Sequence, residues 1–322
     1  METIANRDIV AEIVNTSLRL ATDNASRLDL KITSTALREM RAAFRAFAPY
    51  RDRPKVTMFG SARTRPDDPL YAQAREMARS LSHEGWMVVT GAGPGIMAAG
   101  LEGAGRENAF GVNIRLPFEQ GANAFIAQDP KLVEMKYFFT RKLMLIKESS
   151  GFVVLPGGFG TLDEAFELLT LLQTGKAEPS PVVFLDMLGG TFWHVWEDFV
   201  TNHVAASGFV TPGDEVLWMR TDSVAAATQE ILGFYANYHS IRHVGRNMVL
   251  RMRRLPSDAQ LASLNHDFAD MLQDGEIRAV EASRSEKSDG DALDLKRLAL
   301  HFDRVSYHRL RELINALNAL PA

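Results

Sequence analysis

The chain contains no cysteine. Disulfides, thiolate metal sites and cysteine nucleophiles are therefore excluded. It also lacks any apolar run of membrane-spanning length, roughly 20 residues. The N-terminus, Met1-Glu2-Thr3-Ile4-Ala5-Asn6-Arg7-Asp8, has no basic region followed by an apolar core, so no signal peptide is read there. A cytoplasmic protein without a membrane partner is expected. Charge of one sign is missing too. With 36 Lys+Arg against 40 Asp+Glu the formal net charge is −4, which speaks against a nucleic-acid-binding surface spread over the molecule. Neither a G-x-S-x-G elbow nor a Walker A loop occurs. The histidines form no ligand set. His239-x-x-x-His243 has one-turn spacing, but no carboxylate or cysteine completes a zinc site, so no metal is expected.

What is present is enough apolar residue, 46% of 322, to bury a substantial core. Residues 1–54 read as a helical arm. Ile9, Val10, Ile13 and Val14 make one stripe, Ala36, Leu37, Met40, Phe44 and Phe47 another, and Pro49 and Pro54 close it. The arm carries no catalytic grouping and needs a surface to cover, either the main domain or a partner subunit. Residues 55–240 alternate strand and helix. The strands are Lys55–Phe59, Trp86–Thr90, Phe110–Ile114, Lys131–Met135, Phe152–Leu155, Pro181–Leu185 and Glu215–Met219. The helices are Pro69–His83, the segment after Gly95 through Glu107, Tyr137–Glu148, the segment ending at Gln173, Thr191–Ala206 and Ser223–Tyr238. This rhythm predicts an α/β fold with a Rossmann-like, doubly wound parallel sheet, whose ligands bind beyond the carboxyl ends of the strands. Residues 241–322 break the rhythm and predict a small α+β unit. Its strands are Met248–Met252, Ile277–Glu281 and Arg297–His301. Its helices are Ser257–Gln273, with Ser257-x-x-Gln260 as capping box, and Ser306–Leu317. A polar loop covers Ser283–Asp294.

The most informative stretch is Pro156-Gly157-Gly158-Phe159-Gly160-Thr161-Leu162-Asp163-Glu164, between the apolar run Phe152–Leu155 and a helical pattern. Glycines at 157, 158 and 160 let backbone N–H groups approach and converge on a ligand, and a helix N-terminus adds unpaired donors and the positive end of a dipole. Together they predict a phosphate cradle, with Glu164 one turn into the helix and in reach of whatever the phosphate is attached to. Thr161-x-x-Glu164 also fits a capping box, with Thr161 as N-cap. A second glycine turn, Gly91-Ala92-Gly93-Pro94-Gly95, also ends a strand and opens a helix. It fails the dinucleotide fingerprint, because Ile96 stands where the third glycine belongs and Asn113-Ile114-Arg115 offers no acid for a ribose diol. A backbone cradle for a smaller anion and a plain tight turn both remain open for it. Gly60-Ser61-Ala62-Arg63 ends the first strand, where Ser61 either faces the same crevice or belongs to a simple turn. Arg141 and Lys142 are adjacent on a helix and point about 100° apart. One is expected at the crevice and the other in solvent.

These motifs, in this order and spacing, resemble the LONELY GUY (LOG) family. Its members are Rossmann-like phosphoribohydrolases, often mislabelled lysine decarboxylases. The resemblance covers roughly residues 55–240. It implies hydrolysis of a purine or cytokinin nucleoside 5′-monophosphate to free base and ribose 5-phosphate, with no metal or organic cofactor. It further implies that Arg141 and Glu164 are catalytic, and that Gly157, Gly158, Gly160 and Thr161 form the phosphate turn. Gly91, Gly93 and Gly95 match the family's first glycine turn; Ser61 and Lys142 are added as substrate-binding candidates. A homodimer or an assembly of dimers is expected. Phe138-Phe139 depart from the family's Met-His before the Arg-Lys pair, and the arms exceed the compact plant-type enzyme, as in a longer bacterial variant. The alternative is a non-catalytic carrier of a phosphorylated ligand, similar to molybdenum-cofactor carriers.

Overall fold

Val56 and Met58 of the first strand point to one side of a sheet, Thr57 and Phe59 to the other, and both sides are buried. This is why the strands read as continuous apolar runs rather than alternating ones. In the computed structural model, which describes residues 6–116 and 121–321, seven strands build this sheet. They are β1 (Lys55–Phe59), β2 (Met87–Thr90), β3 (Ala109–Ile114), β4 (Leu132–Met135), β5 (Gly151–Val154), β6 (Val182–Leu185) and β7 (Met219–Thr221). All neighbours are parallel, in the order β4-β3-β2-β1-β5-β6-β7. The expected Rossmann-like α/β architecture is therefore the observed one. Of the N-terminal run read above, Met1–Ala5 lie outside the described residues. Among the described residues no helix is long and apolar enough to cross a membrane.

One face of the sheet packs against α3 (Pro69–His83), α4 (Ile96–Asn108) and α8 (Val224–Gly233) through residues such as Leu81, Leu101 and Ile231. The other face packs against α2 (Arg27–Phe47), α5 (Phe138–Lys147), α6 (Phe159–Gln173) and α7 (Phe192–Phe199) through Phe47, Leu145, Leu168 and Trp193. The first helix, α1 (Arg7–Thr22), buries no residue, and its stripe of Ile9, Val10, Ile13 and Val14 is exposed. Among the described residues, only the second half of the arm covers the domain. There Ala43 and Phe47 are buried, and the Phe47 ring stacks on Phe110 of β3 at 3.7 Å.

The C-terminal unit is a four-stranded antiparallel sheet in the order β10-β11-β9-β8. It comprises β8 (Tyr238–Val244), β9 (Asn247–Met252), β10 (Leu272–Ala279) and β11 (Lys296–Phe302), with α9 (Asp258–Asp267), α10 (Arg284–Asp289) and α11 (Tyr307–Ala319). Its own core is built on Leu250, Leu298, Phe302 and Leu313.

Several sequence expectations are corrected here, some of them by a tertiary contact that outweighs local pattern. The helix expected over Ser223–Tyr238 stops at Gly233. Asn318 Oδ1 accepts from the N–H groups of Asn237 and Tyr238, and Tyr238 opens a strand. His239 and His243 consequently sit in β8, where helical spacing has no meaning. The strand expected over Glu215–Met219 is a 3-10 turn, Asp214–Leu217, followed by β7. The Asp214 carboxylate accepts from Thr211 N and Gln173 and winds the chain there. The Ser257 capping box forms as expected, but its helix ends at Asp267 because Leu272–Ala279 pairs with β11. The supposed loop Ser283–Asp294 contains α10, opened by a Ser283/Glu286 capping box. Thr191–Ala206 is α7 plus one π-helical stretch, Val200–Ala205.

Candidate active site

Strand order follows the chain outward from β1 through β2, β3 and β4, then restarts on its other side at β5. The gap between β1 and β5 is the topological switch point, where open parallel sheets leave a crevice at their carboxyl edge. A cleft of about 800 Å³ opens there. Its walls include Gly60, Ser61, Gly91, Arg141, Glu164 and the run Gly157–Thr161.

Ser61 ties the three turns together. Its N–H donates to Pro156 O at 3.1 Å, and its carbonyl accepts from Ile96 N at 3.0 Å. Its hydroxyl accepts from Arg63 N at 3.1 Å. Gly95 lies against it with φ +66, and a Cβ there would stand 2.2 Å from Ser61 O. Gly93 O accepts from Asn123 Nδ2 at 2.9 Å. Neither Gly93 nor Gly95 is among the residues lining the cleft, whereas Gly91 is. A Cβ on Gly91 would fall 2.0 Å from Arg141 Nη2, so the missing side chain at 91 makes the space the guanidinium fills. Of the two alternatives left open for this turn, the tight turn is thus visible at Gly95, while Gly91 lines the cleft.

The capping box that Thr161-x-x-Glu164 also fits does not form. The N-cap of α6 is Gly158, with extended backbone and no side-chain acceptor for the first turn. The helix begins three residues earlier than a Thr161 cap requires, since glycines at 157 and 158 let the chain turn sharply off β5. Thr161 is the third helical residue, and its N–H and that of Leu162 donate to Gly158 O. The amino end of α6 thus faces the cleft without a side-chain cap, the arrangement that suits an anion. Gly158 and Gly160 have open space where a Cβ would be.

Glu164 lies in the second turn of α6 and is only 6% exposed. Burial pushes its carboxyl up to about 7, against the pull of Lys142 and Arg141. Both cations stand off. Arg141 Nη1 is 3.9 Å from Oε1, and Lys142 Nζ is 3.9 Å from Oε2. Oε2 is buried and accepts no hydrogen bond from any described residue. Arg141 is held from behind, its Nε donating to Val112 O of β3 at 3.0 Å. The expectation that one of the two adjacent cations turns to solvent is corrected. Lys142 is buried beneath the cleft, where its Nζ meets Asp163 Oδ2 at 2.6 Å and Glu167 Oε2 at 2.7 Å. Burial alone would lower its pKa, but these two carboxylates overcome that and raise it. Lys142 does not line the cleft; it neutralises the helix that carries Glu164. Three groups were not legible from motifs: the partners Asp163 and Glu167, and an aromatic rim of Phe138, Phe159 and Phe192. Phe159 is 92% exposed at the first position of α6. An exposed phenylalanine inside a glycine turn was the available signal.

A parallel α/β sheet with glycine turns, an uncapped helix N-terminus and a buried carboxylate at its switch point defines the class. The family model described as possible lysine decarboxylase matches residues 92–231. Over 72 residues the chain is 36% identical to the cytokinin riboside 5′-monophosphate phosphoribohydrolase LOG1 of Arabidopsis thaliana, and equally to LOG3. That match covers 22% of this chain and 32% of LOG1, so the chain spans about a third of the length of the curated relatives it matches. Over these residues the chain is similar to the LOG family. Among solved structures, the X-ray structure of TM1055 is 23% identical with a TM-score of 0.39, covering 55% of this chain and 96% of that one. The molybdenum cofactor carrier protein of Chlamydomonas reinhardtii is 18% identical with a TM-score of 0.37, covering 55% and 94%.

Proposed function

We propose that the protein hydrolyses the N-glycosidic bond of a purine or cytokinin nucleoside 5′-monophosphate, giving the free base and ribose 5-phosphate. The observation that carries this reading is Glu164. A buried carboxylate with one unpartnered oxygen lines the same cleft as an uncapped helix N-terminus set among glycines. Breaking the C1′–N bond builds positive charge on the ribose ring, which a nearby carboxylate stabilises. A water then bonds to C1′ as the C1′–N bond breaks, its proton passes to Glu164, the leaving nitrogen takes up a proton from solvent, and Glu164 returns its own to solvent. A group that titrates near 7 suits this proton transfer at neutral pH. The phosphate, held on the α6 amino end and Gly157–Gly160, supplies orientation far from the bond that breaks. Arg141, with its Nε committed to Val112 O, directs the rest of its guanidinium into the cleft against phosphate or ribose oxygens. The rim of Phe138, Phe159 and Phe192 offers flat apolar faces for a base.

The test is incubation with AMP, GMP, a cytokinin ribotide and adenosine, watching for free base. Release from a monophosphate at a rate well above that from adenosine supports the reading. Equal rates on adenosine and AMP would remove the phosphate-anchoring argument, and binding without turnover would leave a carrier. We also propose a homodimer or an assembly of dimers, since the exposed apolar stripe of α1 needs a partner surface. A monomer by light scattering at working concentration would refute that.

A further inference from the structure

The N-terminal arm shows no catalytic grouping in its sequence, yet it places one carboxylate against the helix that carries Arg141. Glu39 of α2 is 8% exposed, unusual for a glutamate on a helix whose neighbours face water. Both of its oxygens are used. Oε1 accepts from Lys136 N at 2.7 Å, and Oε2 accepts from Thr140 Oγ1 at 2.7 Å. Thr140 is fully buried and immediately precedes Arg141. The N-cap of α5, Tyr137, supplies no side-chain cap of its own. From a different element Glu39 ties the residue before that N-cap to the third residue of the helix, in the position where a carboxylate also meets the positive end of the helix dipole.

The same arm braces the other support of Arg141. Phe47, two turns after Glu39, stacks on Phe110 of β3, and two residues further along β3 is Val112, whose carbonyl accepts from Arg141 Nε. The arm therefore grips both elements that fix the guanidinium: α5 through Thr140 and β3 through Phe110. A misplacement on the order of 1 Å at a reacting group can cost about a hundredfold in rate.

We propose that Glu39 is a positioning residue of the site, holding the start of α5 so that Arg141 keeps its place beside Glu164 and the substrate. The inference rests on the proposed function for its kinetic consequence, but its structural content stands apart. The charged groups facing Glu164 are Arg141 and Lys142 of α5 and Asp163 and Glu167 of its own helix. Arg141 favours the ionised carboxylate, so a displaced guanidinium moves the Glu164 titration to higher pH.

The experiment uses the full chain with Glu39→Ala, Glu39→Gln and Thr140→Val. Each is followed by thermal melting, by kcat and KM on the monophosphate that the parent turns over, and by the pH dependence of kcat/KM. Glu39→Ala should lose about tenfold or more in kcat and shift the titration limb upward. Glu39→Gln should recover both, because its carbonyl oxygen accepts from Lys136 N while its amide donates to Thr140 Oγ1. Thr140→Val should share the direction of Glu39→Ala. A folded Glu39→Ala with the parent's kcat and limb overturns the proposal. Should that variant fail to fold, a folded Thr140→Val with parent-like kcat and limb overturns it instead. If the parent releases no base from any monophosphate, the proposed function has failed, and amide hydrogen exchange across residues 136–141 decides this inference alone. Faster exchange in Glu39→Ala upholds it, and unchanged protection overturns it.

Discussion

Arg141 Nη1 and Glu164 Oε1 stand 3.9 Å apart, near enough to feel each other's charge and too far to share a hydrogen bond. This separation is why Glu164 titrates high although two cations face it. Desolvation raises it to about 7, and the cations, unable to donate directly, recover only part of that shift. The resulting expectation is a single ascending limb in kcat/KM near pH 7, as the carboxyl loses its proton and becomes able to accept one from water. Lys142→Met removes a charge 3.9 Å from Oε2 and should carry the limb to higher pH. A flat profile from pH 5.5 to 8.5 would count against Glu164 as the base.

Glu164→Gln separates chemistry from architecture. Hydrolysis should fall by about a hundredfold or more, since the amide neither holds negative charge nor takes a proton at neutral pH. Stability should move the other way. In the folded chain the carboxyl is protonated up to about 7, whereas an ordinary glutamate ionises near 4.5. The folded state therefore carries more protons across that window, and stability declines as pH rises through it. The full penalty, on the order of 3 kcal/mol, is present above the folded value. The variant should melt with the parent at pH 4.5 and above it at pH 8. Lys142 keeps Asp163 and Glu167 as partners, so no cation is stranded. A variant that melts below the parent at pH 8 would contradict this account.

The glycines of the phosphate turn should divide into two kinds. A Cβ on Gly157 would meet Thr161 Oγ1 at 2.2 Å and Ser61 N at 2.9 Å, so Gly157→Ala must push the β1 and β5 turns apart. Melting temperature and activity should fall together. Gly160→Ala adds a methyl where nothing lies within 4 Å, in a helical residue where alanine is the better former. Its fold should be intact, and the methyl, intruding on the cleft wall, should raise KM for the monophosphate several-fold. Equal effects of the two substitutions on melting would show that the turn is not packed as described.

Much of this was legible because the signals were local. The parallel core declared itself as unbroken apolar runs, and β1 begins and ends where its residues predict, at Lys55 and Phe59. The glycine turns and Arg141 marked the cleft. What escaped depended on partners distant in sequence. Lys142 stood among the substrate-binding candidates, but the carboxylates that bury it beneath the cleft, Asp163 and Glu167, lie on the next helix. Glu39 went unremarked in the helical arm, because its partner Thr140 stands 101 positions away. The Thr161/Glu164 pattern matched a capping box and was not one, because the glycines before it let α6 start early. Strand β8 opens at Tyr238, the last residue of the expected helix, where Asn318, distant in sequence, accepts from the backbone.

The C-terminal unit is held by a buried charge cluster whose acid response differs in sign from that of Glu164. Glu286 Oε1 receives Arg251 Nη2 at 3.0 Å and Arg297 Nε at 3.1 Å. Oε2 receives Ser283 N at 3.0 Å and Ser283 Oγ at 2.9 Å. Burial alone would raise this carboxyl, but the hydrogen bonds from Ser283, Arg251 and Arg297 prevail and lower it to about 2. A depressed carboxylate stabilises the fold above its ordinary value of 4.5 and loses that contribution as pH falls toward 2. Glu286→Gln leaves Arg297 without a carboxylate among the described residues, while Arg251 keeps Asp291. The expected cost at pH 7 is about 3 kcal/mol, the usual penalty for stranding one member of a buried pair. The gap between parent and variant in urea unfolding should narrow steadily from pH 4.5 to pH 2, because the parent then protonates the same group. Base release at 25 °C should be unchanged, since none of these residues lines the cleft. Superimposable unfolding curves at pH 7 would show that the cluster contributes nothing net, its desolvation having cancelled its attraction.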